Sequence, residues 1–331
     1  MKRSILFLFF LILTFFSLAL ADEPALIAVG KAKTITGEGI YAMNPRWSPD
    51  GRKIAFTEPK YAGIWVLNLA TKDYFQITDE PSAGYGFRWS ADGSKILARV
   101  SKFENYRRFN AVKVFDLKNS QSYQLTDYRT QMPALPQWTQ DNNHVYLYTK
   151  NKLEILSVNK ESRGLATASQ ISTQRPLIYW NDKNIFALCA GKTETPNLPI
   201  EGPFLNVELS PDGKKLAFEK YGGNMFIFDL QTNKLTDLGE GNHPQWSPDG
   251  GKILYMITKD DGYNFTQSDI YAINTDGSGK VNLTKTADRI EMNPCWAPDG
   301  QKIAFDEMTT GQIFTLEVKA KLNKKLLKDV R

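Results

Sequence analysis

Only two histidines, His144 and His243, and two cysteines, Cys189 and Cys295, occur among the 331 residues. Metal ligation or proton transfer would draw first on these four side chains, yet none of their separations matches a zinc-ligand spacing. His144 is expected in a turn facing solvent. His243 leads into an apolar segment and is the more interesting of the pair. The cysteines lie 106 positions apart and are expected as unpaired small apolar residues. Asp260-Asp261-Gly262-Tyr263-Asn264 lacks the alternating acids and terminal Glu of a calcium loop and reads as a solvated loop. Gly277-Ser278-Gly279-Lys280 is a hairpin turn and not a phosphate cradle, since Val281 stands where Ser or Thr should follow the lysine. No G-x-S-x-G nucleophile elbow occurs.

A series of aspartates remains: Asp50, Asp92, Asp141, Asp212, Asp249 and Asp299. Their context explains them better as turn residues than as an acid array. Asn44-Pro45-Arg46-Trp47-Ser48-Pro49-Asp50-Gly51 returns as His243-Pro244-Gln245-Trp246-Ser247-Pro248-Asp249-Gly250, and again as Asn293-Pro294-Cys295-Trp296-Ala297-Pro298-Asp299-Gly300. Weaker copies run through Trp89, Trp138 and Leu209, with Ala91 in place of Pro in one and Asn142 in place of Gly in another. In each copy an apolar segment ends at a large side chain. Proline then sets φ, Asp bonds backbone amides and Gly takes positive φ. An alternating Ile-Ala-Phe strand follows, then a third such as Ile64–Leu69 and a short fourth ending near Ile77-Thr78. Each unit is expected to be four antiparallel strands.

The large side chains are spaced by 42, 49, 71, 37 and 50 residues, and Trp180 divides the 71 into 42 and 29. Four-stranded units at this period are the signature of a β-propeller, an all-β ring. Six blades are possible, or seven with one abbreviated blade. Six intervals average 41.5 residues against 49.8 for five, which favours seven. Lys33–Thr36 has the character of an outer strand with no blade before it, so the N-terminal strand is expected to complete the last blade. The tail around Leu322–Leu327 competes for that place.

Lys2 and Arg3 precede an apolar run to Leu20 and an Ala19-Leu20-Ala21 site, the pattern of a cleaved signal peptide at 1–21, with an uncleaved anchor as the alternative. The propeller is expected over 22–318 and a basic tail over 319–331. Of the formal charge of +5, the signal carries +2 and the tail +5, which leaves −2 on the ring. That distribution argues against a nucleic-acid groove and confines any membrane contact to the tail.

The repeated Trp-Ser-Pro-Asp-Gly units resemble the propellers of the TolB-like family, and also those of prolyl oligopeptidase-type peptidases and oligogalacturonate lyases. The TolB resemblance implies a periplasmic, non-enzymatic scaffold that binds a protein or peptide, or a glycan, at the channel mouth. It departs from TolB in leaving no room for an α/β domain before the first repeat. The segments entering the inner strands supply the candidate binding residues: Tyr41, Asn44, Arg46, Tyr85, Arg88, Gln131, His243, Gln245, Arg289, Glu291 and Asn293. A monomer without catalytic residues, metal or other cofactor is expected. The alternative is a metal-assisted hydrolase or lyase acting on a polysaccharide or peptide in the channel.

Overall fold

Every copy of the repeat folds into a tight turn held by its own side chains. In the computed structural model, which describes residues 24–321 except 38, 133 and 159–174, Asp50 Oδ1 accepts from the Ser48 hydroxyl at 2.5 Å and from the Arg52 amide at 3.0 Å. Ser48 Oγ in turn accepts the Lys53 amide at 2.9 Å. The same pattern recurs at Asp92, Asp141, Asp212 and Asp249, so these aspartates are turn residues. Gly51, Gly93, Gly213, Gly250 and Gly300 all hold φ near +70°, and Asn142 takes the position at +57°.

These turns join the first two strands of seven sheets. Blade 1 is β2 (Met43–Trp47), β3 (Lys53–Thr57), β4 (Ile64–Asn68) and β5 (Tyr74–Thr78). Blade 2 is β6 (Arg88–Trp89), β7 (Lys95–Glu104), β8 (Arg107–Asp116) and β9 (Gln121–Gln124). Blade 3 holds β10 (Gln137–Trp138), β11 (His144–Thr149) and β12 (Lys152–Ser157); blade 4 holds β13 (Leu177–Trp180), β14 (Ile185–Cys189) and β15 (Lys192–Glu194). Blade 5 is β16 (Phe204–Leu209), β17 (Lys215–Lys220), β18 (Met225–Asp229) and β19 (Leu235–Gly239). Blade 6 is β20 (Asn242–Trp246), β21 (Lys252–Asp260), β22 (Phe265–Asn274) and β23 (Val281–Asn282). Blade 7 combines β24 (Glu291–Trp296), β25 (Lys302–Glu307) and β26 (Gln312–Ala320) with β1 (Leu26–Thr34) from the other end of the chain.

The structure is therefore a seven-bladed β-propeller, and Trp180 does open a blade of its own. Two blades depart from the expected four strands among the described residues. In blade 4, Pro196, Pro199 and Pro203 follow β15 within a few residues, and proline has no N–H to give a ladder. The segment instead lays Leu198 and Ile200 against the core beside blade 5. In blade 3 the place of a fourth strand falls within residues 159–174, outside the described residues.

Closure follows the expected route with a longer strand. β1 pairs antiparallel with β26 from Leu26↔Ala320 to Thr34↔Phe314, with a bulge between Val29 and Lys33. The strand begins seven residues before Lys33, because Leu26 and Ala28 supply apolar contacts to the blade 6–blade 7 core. The competing tail segment lies outside the described residues, as does the signal sequence.

The core is divided rather than central. Seven apolar clusters each fill one junction between neighbouring blades, including the junction of blades 7 and 1 that closes the ring. Phe56, Phe218, Phe228 and Phe305 are fully buried there, each contributing roughly 1.5–3 kcal/mol of apolar burial. Both cysteines are free: Cys295 is buried and Cys189 exposed.

Candidate functional site

The last two residues of each inner strand set the floor of the central channel. The final position is Trp in six blades and Leu209 in blade 5; the position before it reads Arg46, Arg88, Gln137, Tyr179, Glu208, Gln245 and Cys295 around the ring. The tryptophans stitch neighbouring blades together. Trp89 Nε1 donates to the Arg46 carbonyl at 3.1 Å, Trp138 to Arg88 at 3.2 Å, Trp246 to Glu208 at 3.1 Å and Trp296 to Gln245 at 3.3 Å. Their indole N–H groups add a belt of hydrogen bonds joining consecutive inner strands.

Within the belt lies a cavity of about 460 Å³ whose walls include Arg46, Arg88, Gln137, Glu208, Gln245 and the tryptophan rings. Pro248, in the turn of blade 6, also lines it, so it reaches toward the turn face of the ring. Arg88 crosses the channel from blade 2 to blade 5, where its Nη2 meets Glu208 Oε1 at 2.7 Å. Both side chains keep partial exposure, 35% and 26%. Among the described residues Arg46 has no such partner, and its Nη1 is buried without a hydrogen bond.

Nearer the other face, the inner strands bulge at residues with positive φ: Asn44, Asn206, His243 and Asn293. The bulges turn backbone amides toward buried carboxyls. Asp306 Oδ1 accepts the Asn44 amide at 2.9 Å and Asn293 Nδ2 at 3.0 Å. Glu219 accepts the His243 amide and Asn206 Nδ2. Burial pushes the Asp306 carboxyl up to about 7. His243 is pushed down to about 4, first by burial and then by the Arg46 charge, so its imidazole is neutral at physiological pH.

The candidate residues thus separate into three places. Arg46, Arg88 and Gln245 line the channel cavity. Tyr41, Asn44, Tyr85, His243 and Asn293 stand around the opposite mouth: Tyr41 donates to the Thr309 carbonyl at 2.7 Å, and the Tyr85 ring meets Tyr61 edge-on at 4.9 Å. The remaining three occupy grooves between blades. Gln131 lines one with Arg99 and Arg108. Arg289, over the Phe314 ring at 4.8 Å, and the buried Glu291 line another between blades 6 and 7, beneath the bulge of β1. The linkers were read as all crowding one mouth, but the linkers into blades 3 and 7 pass between blades first.

His144 corrects the expectation of a solvent-facing turn residue. It begins β11 half-buried, with Nδ1 2.7 Å from Asp141 Oδ2. Glu208, Gln137, Asp306 and Glu219 were missed by sequence reading. The residue preceding the Trp, read down the aligned copies, would have exposed the first two. Among the described residues no three His, Cys, Asp or Glu side chains are grouped to hold a metal ion.

The TolB beta propeller domain family matches residues 191–326. The Tol-Pal system protein TolB of Francisella tularensis subsp. mediasiatica is 21% identical over 267 residues, 77% of this chain and 54% of that protein. TolB from Acinetobacter baumannii superposes with a TM-score of 0.51 at 20% identity, covering 77% of this chain and 57% of the other. The chain is similar to TolB β-propellers, with the family match confined to residues 191–326. Dipeptidyl-peptidase 5 of Porphyromonas endodontalis is also similar, 24% identical over 251 residues, which is 70% of this chain and 32% of the peptidase. The chain therefore spans about half the length of this TolB relative and about a third of the peptidase.

Proposed function

We propose that this TolB-like propeller is an exported, periplasmic binding scaffold that docks a protein or peptide of the cell envelope on the mouth face. One observation carries the reading. Eleven large apolar side chains are exposed among the described residues, and nine belong to the linkers, strand ends and hairpin tips of the mouth face. Val29 and Phe75, on outer strands, are the other two. The turn face, built from repeated Asp turns, exposes none among the described residues. Aromatic residues gathered on one side are what a recognition surface needs.

Two prongs raise this face. The β7–β8 and β21–β22 hairpins run ten and nine or ten residues per strand, against five in the β3–β4 pair. At ~3.3 Å per residue the extra length lifts their tips above the rim by roughly 13–17 Å. Tyr106 and Tyr263 sit fully exposed at the two tips. The blades that carry them, 2 and 6, lie on opposite sides of the mouth, with Tyr41, Tyr85 and the neutral His243 between. The relatives named for the Tol-Pal system support a partner in the envelope, and the basic run at 319–331 supports contact with anionic components there.

The test is photo-crosslinking in the native envelope from p-benzoylphenylalanine at Tyr106, Tyr263 or Tyr85, with Arg52 and Lys214 on the turn face as controls. Capture of a discrete polypeptide from the mouth positions and none from the controls is expected. Equal labelling from both faces would remove the reading. N-terminal sequencing of the same purified protein is expected to start at Asp22.

A further inference from the structure

Arg46 is a half-buried cation in the channel with no ion pair among the described residues, and its Nη1 is buried without an acceptor there. A guanidinium carries five donors, and leaving those on one nitrogen buried and unmet is costly. The nearby charges do not supply a partner. Arg88 is consumed by Glu208 at 2.7 Å. Asp306 already receives the Asn44 and Asn293 donors, and the His243 amide is taken by Glu219.

The rest of the cavity narrows what could complete Arg46. Gln137 uses its side-chain oxygen to accept the Tyr146 hydroxyl at 3.2 Å, which leaves its NH2 as a second donor on the same wall. Gln245 turns its NH2 to the Pro244 carbonyl. The Glu208 carboxylate, also on the wall, repels a second negative charge, so a doubly charged phosphate is disfavoured against a single carboxylate. Four of the five indole N–H groups on the wall belong to Trp89, Trp138, Trp246 and Trp296 and are spent in the belt. Their ring faces remain as apolar walls for an uncharged stem.

We propose that the channel cavity, approached from the turn face, is a binding site for one carboxylate group on a short uncharged stem, held by Arg46 with Gln137 as second donor. A small organic acid or the C-terminus of a peptide would present this chemistry equally. The site is separate from the mouth face, and the two could be filled together.

Indole N–H signals in 1H–15N spectra report on it directly. The probes are propanoate, acetyl-Ala-Ala with a free carboxylate, the same peptide as its C-terminal amide, and inorganic phosphate. Saturable shifts of the Trp47 and Trp296 signals are expected from a carboxylate probe and not from the amide or phosphate. Binding by propanoate alone would assign a small acid, and binding by the peptide a chain terminus. Arg46→Gln is expected to weaken that binding at least about tenfold, the loss of a charge-assisted pair. Arg46→Lys, which keeps the charge but not the fork, is expected to weaken it less; this variant serves alone if the glutamine variant does not fold. Equal binding of acid and amide, preferential binding of phosphate, unchanged affinity in the variants, or no shift with either carboxylate would overturn the proposal. None of these outcomes depends on whether the mouth face crosslinks.

Discussion

Asn142 and Ala91 show how single residues adapt a repeat. At four turns the glycine faces the proline of the preceding blade, Gly51 facing Pro298, Gly93 Pro49, Gly250 Pro211 and Gly300 Pro248, whereas Gly213 meets Arg175. Ala91 replaces a proline and so has a free amide, and Asn142 replaces the facing glycine and accepts that amide at 2.7 Å. The two exceptions compensate each other across a blade junction. Asn142→Gly is expected to lose about 0.5–1 kcal/mol in urea unfolding, and the double variant Ala91→Pro/Asn142→Gly to recover most of it by restoring the usual pair. The turn aspartates were legible because their partners lie two residues away. The Ala91–Asn142 bond was not, because its partners are 51 residues apart. Asp306 offers a second test. Its folded pKa of about 7 stands above the ordinary 3.8, so its contribution is full below about 3.8 and is lost as pH rises through 7. His243, held down at about 4, contributes in the opposite sense and loses stability as pH falls from 6.5. Asp306→Asn keeps the acceptor for Asn44. It is expected to raise the melting temperature at pH 8, with the gain shrinking toward pH 5, as measured by thermal unfolding across that range.

At the scale of elements, alternation located nearly every strand, since a half-buried strand must show one face to the core. What alternation could not supply was length. The β7–β8 hairpin continues to Glu104↔Arg107 around a two-residue turn in which Asn105 and Tyr106 both take positive φ. A tyrosine is an unusual occupant of that position, so the turn carried no familiar signal. β1 extends further back than its strand-like end at Lys33 for a related reason: Gly30 and Lys31 look like loop, and only pairing with β26 makes them part of a bulged strand. The clasp can be tested through one side chain. Leu26 is 5% exposed in the core between blades 6 and 7. Leu26→Ala is expected to cost about 2–3 kcal/mol, with loss of hydrogen-exchange protection concentrated in β1 and β26. Protection lost evenly over all seven blades would show that the clasp has no local role.

For the whole molecule, the sequence by itself determined the repeat, the turn chemistry, the four-strand plan and the near-neutral ring, because all of these rest on residue types at short separations. It also pointed to seven blades through Trp180 and to closure by the N-terminal strand. Only the tertiary structure decided which residues share a space. Arg88 and Glu208 are 120 positions apart and meet across the channel; Arg46 stays unpaired beside them, and the linkers into blades 3 and 7 sink into grooves. A ring imposes this division. Each blade's core is local to its neighbours and is written in a periodic pattern, whereas the channel is lined by one residue from each distant repeat. Its charge balance therefore exists only once the ring has closed.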